Sequence, residues 1–179
     1  AWDSQNMEDG YMLFARAGSA GSQQYAALFG GDQRGSFTGF RQVVQGGISA
    51  GASGFSIWGS DIGGLAPVTT NSELQTEELY LRWLGFATFS PLMRAHGTYK
   101  NDSWDYDTEE GDTSAQDAFR KYYWLRENMR NLIYSANIQS HKDGTPMMQA
   151  MGLAFSEEEG MFSVQDQYMF CNEILVTPV

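Results

Sequence analysis

The sequence predicts an α/β fold of parallel strand–helix units, part of a barrel. Three observations carry this reading. Short apolar runs at residues 11–15 and 55–58 each lead into a charge, Arg16 and Asp61. Between and after them lie stretches with apolar residues at helical spacing. Asp61 arrives as its strand ends and two glycines follow, and a carboxylate at the carboxyl end of a buried strand is how an α/β barrel presents chemistry. At 179 residues the chain is too short for a complete eight-unit barrel, which takes about 250.

In chain order, residues 1–10 are polar and read as the end of a helix, with Asp9-Gly10 as its stop. Residues 11–16 read as a buried strand with Arg16 at its mouth. Residues 17–39 are glycine-rich without lasting periodicity and read as one long loop. Phe40, Val43, Val44, Gly47, Ile48 and Gly51 recur at helical spacing, with small residues permitting close packing. Gly46, Gly47, Gly51 and Gly54 end a helix and precede a strand, the reverse of a phosphate-binding loop. Residues 66–75 read as a polar loop. A helix over 76–89 follows, capped by Thr76 with Glu77 and Glu78 in its first turn and stopped by Pro91. Residues 92–96 form a short strand or loop at the next barrel mouth. The acidic stretch 101–117 reads as a solvated loop; it lacks the sixth-position glycine of a calcium loop. One long amphipathic helix is expected over 119–136, a turn at 143–146, a buried strand over 146–153 and a last strand from Ile174.

Composition excludes several functions. The net charge of −11, from 22 acidic and 11 basic residues, argues against nucleic acid or an anionic membrane as partner. The single cysteine, Cys171, permits no internal disulfide and is expected to pack as a small apolar side chain. No signal peptide, targeting segment or membrane span is legible, and no paired ligands outline a metal site. Aromatic content of 14% fits carbohydrate sites and large buried interfaces alike.

Five segments in one order carry a family resemblance: Arg16-Ala17-Gly18-Ser19-Ala20-Gly21, Phe29-Gly30-Gly31-Asp32, Trp58-Gly59-Ser60-Asp61-Ile62-Gly63-Gly64, Arg82-Trp83, and Arg94-Ala95-His96-Gly97. Together they resemble the catalytic domain of family 31 glycoside hydrolases, the α-glucosidases and α-xylosidases, from about residue 11 to the end. The resemblance implies the second half of a (β/α)8 TIM barrel, with residues 144–148 matching the last barrel strand. It further implies that residues 1–179 are a single fragment of that barrel, with its N-terminal half and accessory β domains outside.

The implied activity, as part of a complete barrel, is that of a retaining α-glycosidase; the alternative is a non-catalytic fragment or carbohydrate-binding remnant of such a barrel. Such an enzyme needs two carboxyl groups about 5–5.5 Å apart, one donating a proton to the leaving oxygen and the other attacking the anomeric carbon. Asp32 matches the acid/base, expected in a partly apolar setting; read alone, it better fits a cap for the helix that follows, and the flanking motifs turn the reading to catalysis. Asp3, Glu8 and Asp9 lie too near to serve as nucleophile, which is expected outside this chain. Arg16, Phe29, Trp58, Asp61 and His96 match sugar-subsite positions. Arg16 also fits a structural ion pair, Trp58 a core tryptophan, and Asp61 a charge partner for Arg16. Arg94 is expected to prop the site through ion pairs, and His141 to be exposed. Phe29 stands where the family commonly has Trp, and so lacks an indole donor; Leu65 stands where many members have Phe or Tyr. No cofactor is implied. The implied partners are a carbohydrate and the remainder of the barrel, with a homo-oligomer left open.

Overall fold

The computed structural model describes residues 12–65, 75–97, 100–107 and 109–178. The expected helix end in residues 1–10, Tyr11, the candidate carboxylates Asp3, Glu8 and Asp9, and most of the 66–75 loop lie outside them. Four parallel strands form one sheet in sequence order: β1 (Leu13–Ala15), β2 (Ala26–Phe29), β3 (Trp58–Asp61) and β4 (Leu92–Arg94). Leu13 is in register with Ala26, Leu28 with Trp58, and Gly59 with Leu92. Strand β2 corrects the reading of 17–39 as one loop. Two alanines give that run weak intrinsic strand preference, but pairing with β1 on one side and β3 on the other overrides propensity.

Helix α1 (Phe37–Ala52) buries the expected stripe of Phe40, Val43, Val44, Gly47, Ile48 and Gly51. Its N-cap is Ser36, whose hydroxyl accepts from the Gly39 N–H at 3.1 Å, so Asp32 is not the cap. Helix α2 (Glu77–Thr88) is capped as expected, Thr76 accepting from Leu79 N–H at 3.2 Å. It buries Leu79, Tyr80, Trp83, Leu84 and Phe86 against the sheet. On β3, Trp58 and Ser60 face these helices. Trp83 Nε1 donates to Ser60 Oγ at 3.1 Å, and the Trp58 ring meets Phe86 at 6.3 Å. Alternation along a strand therefore turns Gly59 and Asp61 to the opposite, inner face.

Residues 101–117 are not a solvated loop. Asn101, Ser103 and Tyr106 are buried, and Ser103–Asp105 form a short 3-10 turn. Helix α3 (Ser114–Asn128) begins within the stretch, with the Asp107 carboxylate accepting from Ala115 N–H at 2.8 Å and Gln116 N–H at 3.2 Å. The long helix expected over 119–136 is divided at Met129, and α4 (Arg130–Asp143) continues to Gly144, which ends it at φ +81°.

The expected strand over 146–153 is shorter and pairs differently. Strand β5 (Met148–Ala150) joins an antiparallel sheet with β6 (Tyr168–Phe170) and β7 (Ile174–Val176), and the chain turns helical at α5 (Met151–Ala154). Gly51 lets β5 approach α1: a Cβ there would lie 2.5 Å from the Met148 carbonyl oxygen. Cys171 is buried at the β6–β7 turn, and burial pushes its thiol up to about 12.

Among the described residues, β1 and β4 each have one hydrogen-bonded neighbour, and Met12, Leu13, Trp124, Tyr134 and Leu175 stand exposed. Open strand edges beside apolar surface invite association. A polypeptide limited to residues 1–179 is expected to aggregate or to bind apolar dyes as a molten state. A soluble monomer with a sharp cooperative melt would overturn this.

Candidate active site

The four parallel strands carry charges at or just beyond their carboxyl ends: Arg16 after β1, Asp32 three residues after β2, Asp61 closing β3 and Arg94 closing β4. These pair between neighbouring strands. Arg16 Nη2 donates to Asp32 Oδ2 at 2.8 Å, and Arg94 Nη1 lies 3.1 Å from Asp61 Oδ1. The expected Asp61–Arg16 partnership is thus replaced by Asp61–Arg94, because β3 adjoins β4 and not β1. Arg94 makes an ion pair with Asp61 because β4 lies beside β3.

Asp32 is reachable. Its side chain is 35% exposed and sits against a guanidinium at the sheet's mouth rather than in an apolar pocket. Asp61 differs sharply, with its side chain 1% exposed. The Arg94 N–H is near Asp61 but not aligned on it, so neither Asp61 oxygen has a hydrogen-bond partner among the described residues. Burial raises the Asp61 pKa; Arg94 and then His96 oppose this, and the nearby Asp32 charge adds to it.

Below these charges lies an aromatic layer on the inner face. The Phe14 and Phe29 rings are tilted with centroids 5.4 Å apart, and the Arg94 guanidinium lies 5.5 and 5.0 Å from them. Phe29 therefore faces the site side of the sheet. Trp58 does not: it is 3% exposed, on the helix side, where α1 approaches so closely that a Cβ on Gly47 would lie 2.9 Å from its ring. His96, two residues past β4, is exposed near Asp61, and His141 is exposed on α4.

The turn after β3 is tied to the loop bearing Asp32. Leu65 N–H donates to Gln33 C=O at 3.0 Å, and Ile62 N–H to Arg94 C=O at 3.0 Å. The buried amide of Gln75 donates to Gly63 C=O at 2.6 Å, and that of Asn101 to Ile62 C=O at 3.0 Å and Gly64 C=O at 2.5 Å. Gly63 and Gly64 both adopt φ +81°, and a Cβ on Gly64 would lie 2.9 Å from Gln33 C=O. Sequence reasoning missed Gln75 and Asn101, as well as Phe14. A lone amide in a loop carries no periodicity, and Phe14 looks like any apolar strand residue. A cavity of about 730 Å³ between α2, α3 and β7 is lined by Leu81, Phe86 and Tyr122 among others and lies away from the strand ends.

A parallel strand–helix array with its charged groups gathered at the strand carboxyl ends has the layout of a barrel-enzyme site. Residues 1–136 match the family 31 glycosyl hydrolase TIM-barrel domain, and residues 144–179 match the C-terminal domain of the same family. The chain belongs to glycoside hydrolase family 31. It is 32% identical over 174 residues to an isomaltosyltransferase of Sporosarcina globispora, spanning 93% of this chain and 16% of that protein. It is 31% identical over 169 residues to an α-xylosidase of Emericella nidulans, spanning 94% of this chain and 20% of that protein. A solved structure of the cycloalternan-forming enzyme of Listeria monocytogenes, in complex with a pentasaccharide substrate, superposes with a TM-score of 0.86 at 29% identity, covering 98% of this chain and 17% of that one. The chain thus spans about a fifth or less of the length of these relatives.

Proposed function

We propose that residues 1–179 supply the acid/base side of a retaining α-glycosidase site, acting on the terminal non-reducing α-linked glucose or xylose of an oligosaccharide or glycoside. The observation that carries this is the exposed Asp32 carboxylate at the mouth of the parallel sheet, held by Arg16 from the neighbouring strand end. Asp32 donates its proton to the leaving oxygen and later takes one from water. Phe29 walls the sugar site, Arg16 orients Asp32, and His96 donates to ring hydroxyls. The nucleophile is contributed from outside these residues, because Asp61, the other carboxylate at the strand ends, is too buried to reach an anomeric carbon. No cofactor enters the chemistry, which uses carboxyl groups and water.

The isomaltosyltransferase relative favours a second outcome at the same site: a sugar hydroxyl replaces water as acceptor in the second step. The test is to supply the full-length gene product with neutral α-glucosides and α-xylosides and to follow the products by proton NMR. The α-anomer should appear first, as free sugar for hydrolysis or as longer oligosaccharides for transfer. Initial release of the β-anomer would refute the retaining mechanism, and absence of turnover on the whole set would refute the activity.

His96→Ala in the same protein should lower kcat/KM by about 10-fold, as for one lost hydrogen bond worth about 1–3 kcal/mol. Its melting temperature should hardly move, because the side chain is exposed. Normal turnover with a depressed melt would remove His96 from the site.

A further inference from the structure

Asp61 is a buried carboxylate that the proposed chemistry does not use. Both of its oxygens are shut away from solvent and lack hydrogen-bond partners among the described residues. A sugar hydroxyl cannot reach an oxygen that water cannot reach. Burying such a charge is unfavourable unless something else is gained. Its neighbour Arg94 has the opposite character. The Arg94 side chain is 33% exposed and laid over the Phe14 and Phe29 rings, with Nη1 3.1 Å from Asp61 Oδ1. None of its N–H groups makes an aligned hydrogen bond to a described residue, although guanidinium carries five donors in a rigid fork.

Resting on the glycosidase reading above, we infer that Arg94 is the sugar-contacting donor at this edge of the site, with Asp61 its buried counter-ion and not itself a ligand contact. The two aromatic rings and the carboxylate together fix the plane of the guanidinium. A fork held in that way matches two adjacent hydroxyls of a neutral pyranose, a feature common to glucose and xylose. Lysine, a point charge on a flexible stem, would not reproduce the fork.

The test is calorimetric titration of D-glucose and D-xylose into the full-length gene product, so that it does not depend on turnover. Arg94→Met and Arg94→Lys should weaken sugar binding by about 10-fold or more, and Asp61→Asn, which leaves the guanidinium in place, by clearly less. Because Arg94→Met alone strands a buried charge and can unfold the protein, the decisive variant is Asp61→Leu with Arg94→Met, which replaces the pair by apolar side chains of similar size. That folded double variant should bind sugar as weakly as Arg94→Met or Arg94→Lys. Recovery of parental affinity in it would mean that Arg94 only neutralises Asp61, and would overturn the inference. So would Asp61→Asn weakening binding as far as the Arg94 variants do, which would put Asp61 on the sugar. A parent that binds neither sugar overturns it as well. A parent that binds sugar through Arg94 but hydrolyses nothing would sink only the acid/base reading.

Discussion

Asp32→Asn in the full-length gene product is expected to lower kcat/KM for an unactivated α-linked disaccharide by about 10²–10⁴-fold, the usual contribution of general acid–base catalysis. Asparagine has nearly the same shape as aspartate and can still accept from Arg16, but it cannot give a proton to the departing oxygen. An aryl glycoside with an acidic leaving group departs without that proton, so its first step should be far less affected. Its second step also loses the base that activates water, so a covalent glycosyl-enzyme should accumulate and show as a burst of released phenol. Stability should change little. The Arg16–Asp32 pair is formed by side chains 67% and 35% exposed, and such pairs contribute little once solvent screens them. Equal rates for mutant and parent on the disaccharide would end the assignment.

Arg126→Met is expected to destabilise the fold by about 3 kcal/mol, the scale for losing charge-assisted hydrogen bonds and stranding buried acceptors. Arg126 reaches from α3 to the carboxyl end of α2. Its Nη1 donates to Thr88 C=O at 2.8 Å and Ser90 C=O at 2.7 Å, with Ala87 C=O at 3.4 Å, and its Nη2 donates to Pro91 C=O at 2.8 Å. A helix leaves its last carbonyls unpaired, and here one half-buried guanidinium serves them in place of a capping glycine. Burial draws the Arg126 pKa below its ordinary value, with the proximity of Cys171 opposing it, which marks how far the charge has been taken from water. These carbonyls lie where the chain enters β4, at the end of the sheet opposite Asp32, so turnover per folded molecule should be unchanged. Urea unfolding with kinetics on the same sample checks both halves. A midpoint within experimental error of the parent would show that water substitutes for the guanidinium.

Much of this arrangement was legible in the chain itself, for a local reason. Helical spacing of Phe40, Val43, Val44, Gly47 and Ile48 requires only that a stripe be buried, whatever it packs against. Thr76 caps α2 through a bond to the N–H three residues on, a contact closed within one turn. The class of fold follows from strand and helix periods alternating. The family is legible because its motifs pass through backbone positions such as Gly63 and Gly64, where positive φ and close approach leave little choice of residue.

Tertiary structure alone decided which charges meet and which faces they occupy. Strand β2 is a strand because β1 and β3 accept it on both sides, not because alanine prefers to be extended. Trp58 faces the helices and Phe29 the inner face because side chains alternate across a pleat, and their faces are set by register between strands distant in sequence. Strand β5 pairs against β6, which lies some twenty residues further on, and β6 reverses into β7 through Cys171 and Asn172 at positive φ. Arg16 could have answered either Asp32 or Asp61 on charge alone. Coulomb attraction falls with distance, and only strand order makes β1 the neighbour of β2, and β3 of β4; that order gave Asp32 an exposed partner and left Asp61 buried beside Arg94.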